Sequence, residues 1–225
     1  MTIPGAPYRD RIDAGRRLAA ELEKFRGPAI TVLGLPRGGV PVASVIADRL
    51  EAPLDILVVR KIGAPGNREY GLGAVAEGQV RFLDHRILGE LGLVPEDLET
   101  EIRFQAEEVE RLARRLRGGR PAPELKGRTV ILVDDGMATG GTVRAAVEAV
   151  RLQRPGQVVV AVGVSSRQAV RTLHPLVDAV VCPIVPPILF AVGEWYRQFP
   201  AVLEGEVTAL LQQHWARSPA GMIAR

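Results

Sequence analysis

Residues 130–143, VILVDDGMATGGTV, decide how the chain is interpreted. Four apolar residues, typical of a buried strand, lead into two adjacent aspartates, Asp134 and Asp135. A loop built almost entirely of Gly, Ala and Thr follows, and a helix is predicted from residue 141. A strand, a glycine-rich turn and a helix N-terminus together form a cradle for phosphate, because backbone N–H groups and the helix dipole point into the turn.

The two aspartates indicate that phosphate is only part of the ligand. Carboxylates beside a phosphate repel it, whereas they suit a ligand that also carries hydroxyl groups, or a metal ion between the two. A ribose 5-phosphate offers a phosphate for the loop and adjacent hydroxyls for the acids. Gly136 and Gly141 have the spacing of a nucleoside triphosphatase loop, but Thr142 stands where that loop needs lysine, which argues against that activity.

Apolar strands alternate with helices along the rest of the chain, and a short hairpin is predicted around Gly78. The strands are continuous apolar runs, which is typical of a mostly parallel sheet covered on both faces. We therefore predict an α/β, doubly wound fold. The predicted strands are 29–35, 54–59, 129–134, 157–164 and 176–185, and the predicted helices are 8–25, 40–50, 84–91, 95–117, 141–153, 166–173 and 201–215.

Ligands of doubly wound proteins bind at the carboxyl ends of the strands. Three unusual segments are predicted there: PRGG (36–39), RKIGAPGN (60–67) and DDGMATGGT (134–142). The second segment opens a Gly-, Pro- and Asn-rich stretch, 62–73, that we expect to be a loop.

VILVDDGMATGGT resembles the signature of type I phosphoribosyltransferases, which bind phosphoribosyl pyrophosphate (PRPP). Together with LPRGG (35–39), VVRKIGAPGN (58–67) and GAVAEG (73–78), it is similar to a bacterial branch of that family whose substrates are mostly unassigned. The resemblance spans roughly residues 5–200. It implies a mostly parallel sheet with a small helical hood or tail.

The resemblance also implies roles for individual residues. Asp134 and Asp135 would bind the ribose hydroxyls and stabilise the oxocarbenium-like transition state. The 5-phosphate would be held by Gly136, Met137, Ala138, Thr139, Gly140, Gly141 and Thr142. Pyrophosphate would be held by Arg37, Gly38, Gly39, Arg60 and Lys61. Mg²⁺ is the expected cofactor, bound through PRPP with Asp134 and Asp135 as candidate ligands.

The acceptor side is less defined by the sequence. Some purine-salvage relatives place an acid where this chain has Ala138, so the general acid or base is not identified by the motif. Glu69 and Tyr70 are candidates, although a solvated Glu and a packing Tyr are the simpler interpretation. Phe190, Trp195, Tyr196 and Phe199 could stack on a base, but their spacing favours packing of a C-terminal helix. Residues 84–125 or the termini would form the hood.

The predicted function is Mg²⁺-dependent transfer of a phosphoribosyl group from PRPP to a purine or pyrimidine. The alternatives are a non-catalytic PRPP-binding regulatory protein and a phosphohydrolase that uses the same phosphate site. We expect one domain over 1–225, with a core of 27–83 and 127–186, a helical insertion at 84–126 and a helical tail at 187–225. A net charge of +3 and no long apolar run give no indication of nucleic acid or membrane binding, and we expect a cytoplasmic homodimer.

Overall fold

A five-stranded parallel sheet forms the centre of the molecule, with strand order β2-β1-β6-β7-β8. The computed structural model describes residues 7–65 and 67–217, with the backbone alone for residues 67–70. The central strands are β1 (Ile30–Gly34), β2 (Leu54–Ile56), β6 (Thr129–Met137), β7 (Gln157–Ser165) and β8 (Ala179–Val181).

Helices cover both faces of this sheet. They are α1 (Arg11–Leu22), α2 (Gly39–Leu50), α3 (His85–Glu90), α4 (Glu99–Arg117), α5 (Gly141–Leu152), α6 (Arg167–Leu173) and α7 (Glu204–Arg217). Successive strand residues point to opposite faces, so Ile131 joins the apolar cluster of α1, α2 and α7, whereas Leu132 joins that of α5 and α6. The predicted doubly wound, mostly parallel architecture is therefore confirmed.

A second, antiparallel sheet of three strands stands beside the first, with strand order β3-β4-β5. Ala76 pairs with Val80, which confirms the predicted hairpin around Gly78. The prediction of one strand over 54–59 followed by a loop over 62–73 was wrong, because the parallel strand ends at Ile56 and the chain then forms an antiparallel hairpin. Arg60 and Lys61 accordingly lie inside a strand of the second sheet. Its strands are β3 (Val59–Ala64), β4 (Asn67–Ala76) and β5 (Val80–Leu83).

A buried ion-pair cluster joins α4 to both sheets, and we call Arg117, Asp55 and Glu77 the framework cluster. Arg117 is only 4% exposed, and its Nε donates to Asp55 Oδ1 at 2.6 Å. Its Nη1 and Nη2 atoms donate to the two carboxylate oxygens of Glu77, and Nη2 also donates to the Ile56 carbonyl at 2.6 Å. Burial raises the pKa of Asp55, although the charge of Arg117 works against that rise.

The C-terminal third differs from the prediction at one strand. The predicted strand 176–185 is reduced to β8, because Pro183 has no N–H group to continue the ladder and Ile184 forms an isolated bridge. Helix α7 returns to the central sheet, where Trp215 Nε1 donates to the Leu54 carbonyl at 3.0 Å. No helix within 7–65 and 67–217 is long and apolar enough to cross a bilayer.

Candidate active site

The candidate site lies at the carboxyl ends of β1 and β6, the point in the sheet where the strand order changes direction. Strands β1 and β6 are neighbours, and from them the chain proceeds to β2 on one side and to β7 on the other. The pairing extends beyond β1, because the Leu35 amide donates to the Val133 carbonyl at 2.8 Å. LPRGG and DDGMATGG therefore leave the sheet side by side, and both α2 and α5 begin at this edge. Two helix N-termini together favour an anionic ligand.

Strand β6 is longer than predicted and includes both aspartates. Asp134 pairs with Val162 and Met137 with Ser165, because β7 extends as far as β6 and continues the ladder. The glycine-rich loop is thus shortened to the residues between Met137 and Gly141. The Ser166 hydroxyl donates to the Ala138 carbonyl at 2.6 Å, which ties this loop to the N-terminus of α6.

The LPRGG turn lies directly on Asp135. A Cβ atom added at Gly38 would collide with Asp135 Oδ2, so only glycine leaves room for that carboxylate. The side chain of Arg37, next in the turn, is exposed at the same edge. The structure therefore brings together the residues predicted to bind pyrophosphate, Arg37 to Gly39, and the acids predicted to bind ribose.

An arginine that the sequence analysis did not identify completes the site, and we call Arg11, Asp134 and Asp135 the site cluster. Arg11 Nε donates to Asp135 Oδ2 at 2.8 Å, and the two side chains are 10% and 13% exposed. Arg11 belongs to the buried stripe of α1, Arg11, Ala14, Gly15, Leu18, Ala19 and Leu22. The sequence could have indicated Arg11, because this charged residue has the same helical spacing as the apolar residues that form the buried face of α1.

The electrostatics of the two acids differ. Asp134 Oδ1 accepts from the Asp135 amide at 2.9 Å. Burial raises the pKa of Asp134 well above its usual range, and the neighbouring charge of Asp135 adds to the effect. Burial also raises the pKa of Asp135, but the hydrogen bond and charge of Arg11 oppose the rise. The pair is therefore short of positive charge, and hydroxyl donors or a cation from a ligand would stabilise it.

Two tyrosines support the backbone of β6 and β7 beneath the acids. Tyr196 Oη donates to the Asp135 carbonyl at 2.5 Å, and Tyr8 Oη donates to the Gly163 carbonyl at 2.7 Å. Their rings stack with centroids 5.2 Å apart, and Phe199 packs against Tyr196. Tyr196 and Phe199 therefore pack in the fold, but their partners are Tyr8 and Arg11 and not the C-terminal helix that their spacing favoured. Phe190, in contrast, is 81% exposed.

Lys61 reaches the glycine-rich loop from the second sheet. Its Cδ lies 3.2 Å from the position that a Cβ atom at Gly141 would take, so its side chain is beside the N-terminus of α5. A cavity of about 230 Å³ opens here between the second sheet and α5, and Lys61, Thr139 and Arg144 help to line it. Arg60 is exposed and, as the adjacent strand residue, points to the opposite face of its sheet.

The part of the chain that the structure describes contains no group of three or more His, Cys, Asp or Glu residues placed to hold a metal ion. Asp134 and Asp135 offer carboxylate oxygens, which are the ligands that Mg²⁺ accepts together with phosphate oxygens and water. The side chains of Glu69 and Tyr70 lie outside the described part.

The fold and this edge of the sheet define a class of protein. A parallel sheet with paired acids at the end of one strand, followed by a Gly/Thr loop and a helix, matches the family described as "Phosphoribosyl transferase domain", whose model covers residues 8–196. The chain belongs to this family.

The most informative relatives support the assignment. Two Mycobacterium tuberculosis proteins, from strains CDC 1551 and H37Rv, carry the provisional name phosphoribosyl transferase. Each is 42% identical over 217 residues, which is 96% of this chain and 49% of the relative. The chain thus spans about half the length of these curated relatives. The solved structure of TT1426 from Thermus thermophilus is 43% identical with a TM-score of 0.84, covering 92% of this chain and 98% of that one.

Proposed function

We propose that the protein transfers a 5-phosphoribosyl group from PRPP to a nitrogenous base and releases pyrophosphate, with Mg²⁺ as cofactor. One observation carries the proposal. The paired acids of β6 lie between the glycine-rich loop of α5 and the LPRGG turn of α2, so one ligand could reach all three. PRPP has a phosphate, a sugar with two free hydroxyls and a pyrophosphate in that order.

The 5-phosphate is assigned to residues 136–142, which comprise the end of β6, the short loop after it and the first turn of α5. Their backbone amides and the N-terminus of α5 attract an anion. Thr139 and Thr142 add hydroxyl donors. Lys61 approaches the same loop, so its ammonium group can neutralise a phosphate held there. Its predicted contact with pyrophosphate would need the side chain to turn toward the LPRGG turn.

Pyrophosphate is assigned to Arg37, Gly38 and Gly39 at the N-terminus of α2, and Arg60 remains a predicted partner. These groups stabilise negative charge on the leaving pyrophosphate as its bond to the sugar breaks. Mg²⁺, when bound through PRPP with Asp134 and Asp135, would supply further charge neutralisation. Preorganised charge of this kind usually contributes more than any other effect to catalysis of such a step.

The acids have two tasks in the proposed reaction. Their carboxylates accept hydrogen bonds from the ribose hydroxyls, which orients the sugar. They also lie where positive charge develops on the ring as pyrophosphate departs, and opposite charge there lowers the barrier. Removal of one well-placed group of this type typically costs about 3 kcal/mol in the barrier.

Phe190 is the proposed contact for the acceptor base. Val192, two residues further along the chain, packs on Gly136, where an added Cβ atom would strike the valine side chain. An aromatic ring that is 81% exposed is free to stack on a planar base. Phe190→Ala should raise the KM for the base several-fold and leave the KM for PRPP and the melting temperature unchanged.

The decisive experiment measures pyrophosphate release from PRPP and Mg²⁺ across a panel of purine and pyrimidine bases. The proposed function predicts release that depends on one base or one class of bases. The variant Asp134→Asn with Asp135→Asn is the inactive control. Release without any base would favour a phosphohydrolase, and tight PRPP binding without release would favour a regulatory protein.

The homodimer that the family resemblance predicts is tested in the same preparation by light scattering.

A further inference from the structure

Asp135 is held by groups from three parts of the chain, two of them at its carboxylate and one at its backbone carbonyl. Arg11 Nε donates to its Oδ2 atom at 2.8 Å, and that oxygen fills the space left by the missing side chain of Gly38. Tyr196 Oη fixes the Asp135 carbonyl at 2.5 Å from below. The neighbouring Asp134 side chain accepts a hydrogen bond from the Asp135 amide.

Arg11 is itself fixed, and its partners are far away in the sequence. Its Nη1 atom donates to the Pro200 carbonyl at 2.8 Å, and the centre of its guanidinium group lies 3.8 Å from the centroid of the Phe199 ring. The planar guanidinium therefore uses one edge for Asp135, another for Pro200 and its face for Phe199. A lysine ammonium group cannot make these three contacts at once.

We infer that Arg11 is a positioning residue for PRPP: it holds the Asp135 carboxylate against Gly38, so that the sugar-binding acid and the LPRGG turn are aligned before the ligand arrives. This inference rests on the proposed function. Arg11 acts through Asp135 and need not touch the ligand. Preorganisation of this kind lowers the cost of binding, because the acid does not have to be ordered when the ligand binds.

The test is chemical rescue of the variant Arg11→Ala. The substitution leaves a cavity of guanidinium shape beside Asp135, Phe199 and Pro200. We expect PRPP binding in the presence of Mg²⁺, measured by calorimetry, to weaken by roughly ten- to a hundredfold, the cost of losing hydrogen bonds to a charged group. Millimolar guanidinium should restore most of the affinity. Urea at equal concentration should not, because it has a similar shape and no charge.

A second readout does not depend on PRPP. The amide NMR signal of Gly38 reports on the carboxylate that lies against it. This signal should move in Arg11→Ala and return toward its wild-type position with guanidinium. Arg16→Ala, an exposed arginine of the same helix, is the matched control and should change neither the Gly38 signal nor PRPP binding.

The outcomes separate the inference from the proposed function. A folded Arg11→Ala protein with wild-type affinity for PRPP, or with weak binding that guanidinium does not restore, overturns the positioning role. If wild-type protein does not bind PRPP, the proposed function fails and with it the role toward PRPP, while a Gly38 signal that follows Arg11 still shows that Arg11 positions the Asp135 carboxylate. Should Arg11→Ala fail to fold, Arg11→Lys decides, and unchanged PRPP binding in that variant contradicts the inference.

Discussion

The framework cluster and the site cluster contain the same groups, one arginine and two carboxylates, but they bond differently. Arg117 donates to both Asp55 and Glu77, so each acid of the framework cluster has the arginine as its partner. Arg11 donates to Asp135 alone, and its second donor takes the Pro200 carbonyl. Within the described residues no ion pair includes Asp134.

The difference is the one expected if the framework cluster completes the fold and the site cluster binds a ligand, as we propose. A buried carboxylate without a cationic partner costs free energy, and a protein keeps one where function requires it. The framework cluster satisfies its two acids internally and joins α4 to both sheets. The site cluster leaves one acid without an ion pair, and in the proposed function this acid binds hydroxyl groups or a cation that arrive with the ligand.

The largest effect is expected when Asp134, which has no ion pair among the described residues, is replaced together with Asp135. Asp134→Asn with Asp135→Asn should abolish PRPP binding, a loss on the order of a thousandfold or more, because two charge-assisted contacts disappear together. Calorimetry measures the binding, and circular dichroism should show an unchanged fold. The matched control is Glu96→Gln with Asp97→Asn, an exposed adjacent pair. Normal PRPP binding by the site variant would mean that the site is assigned wrongly.

Breaking the framework cluster should affect stability instead. Arg117→Met leaves two buried carboxylates unpaired and should lower the free energy of unfolding by about 3–5 kcal/mol. Urea denaturation measures the change. Arg115→Met, two residues away, loses only an exposed pair with Glu204 and should cost less than about 1 kcal/mol. Equal effects of the two substitutions would contradict the central role of the framework cluster.

The contact between the LPRGG turn and the site cluster gives a smaller effect. Gly38→Ala places a methyl group on Asp135 Oδ2, so either the carboxylate or the turn must move. We expect PRPP binding to weaken about tenfold and the free energy of unfolding to fall by about 1–3 kcal/mol. Gly27→Ala, where a Cβ atom would have no neighbour within 4 Å, is the control. Wild-type PRPP affinity in Gly38→Ala would show that the contact between the LPRGG turn and Asp135 does not contribute to binding.

The smallest effect is expected when Tyr196 or Tyr8 is replaced by phenylalanine, and the two variants should differ in PRPP binding. Tyr196→Phe and Tyr8→Phe each remove one hydrogen bond to a backbone carbonyl and should each cost about 1 kcal/mol in stability. Only Tyr196→Phe should also weaken PRPP binding, by a few-fold, since its partner is Asp135 itself. Thermal unfolding and calorimetry on the two variants make this comparison. Identical PRPP affinities would show that support from Tyr196 does not reach the carboxylate.

Much of this fold could be predicted because its signals are local. The apolar run before Asp134 and the Gly/Thr loop after Asp135 predict a strand, a turn and a helix without reference to the rest of the chain. The pairing of β3 with β4 was missed for the opposite reason, although the hairpin around Gly78 in the same sheet was predicted. Gly63 and Gly73 are typical of loops, yet they lie in β3 and β4, which pack against each other and against α4 and α5.

The site could be predicted only in part. Its acids and loop lie within one continuous motif, whereas Arg11 is 124 residues from Asp135 and 189 from Pro200. No periodicity or spacing links such positions, so the ion pair is visible only in the folded structure. Arg117 was overlooked in the same way, because its partners Asp55 and Glu77 lie on other elements.

The hydrogen bond from Tyr196 to Asp135 determines at which stage of synthesis the candidate site can be completed. A growing chain carries the whole VILVDDGMATGGTV motif before Tyr196, which lies 61 residues after Asp135, is added, and Pro200 follows only later. Contacts between such distant positions close large loops and form late in folding. A ribosome-bound chain stopped short of Tyr196 would therefore display the VILVDDGMATGGTV motif without its support, and the proposed tight binding of PRPP would begin only after residues 196–200 have been added.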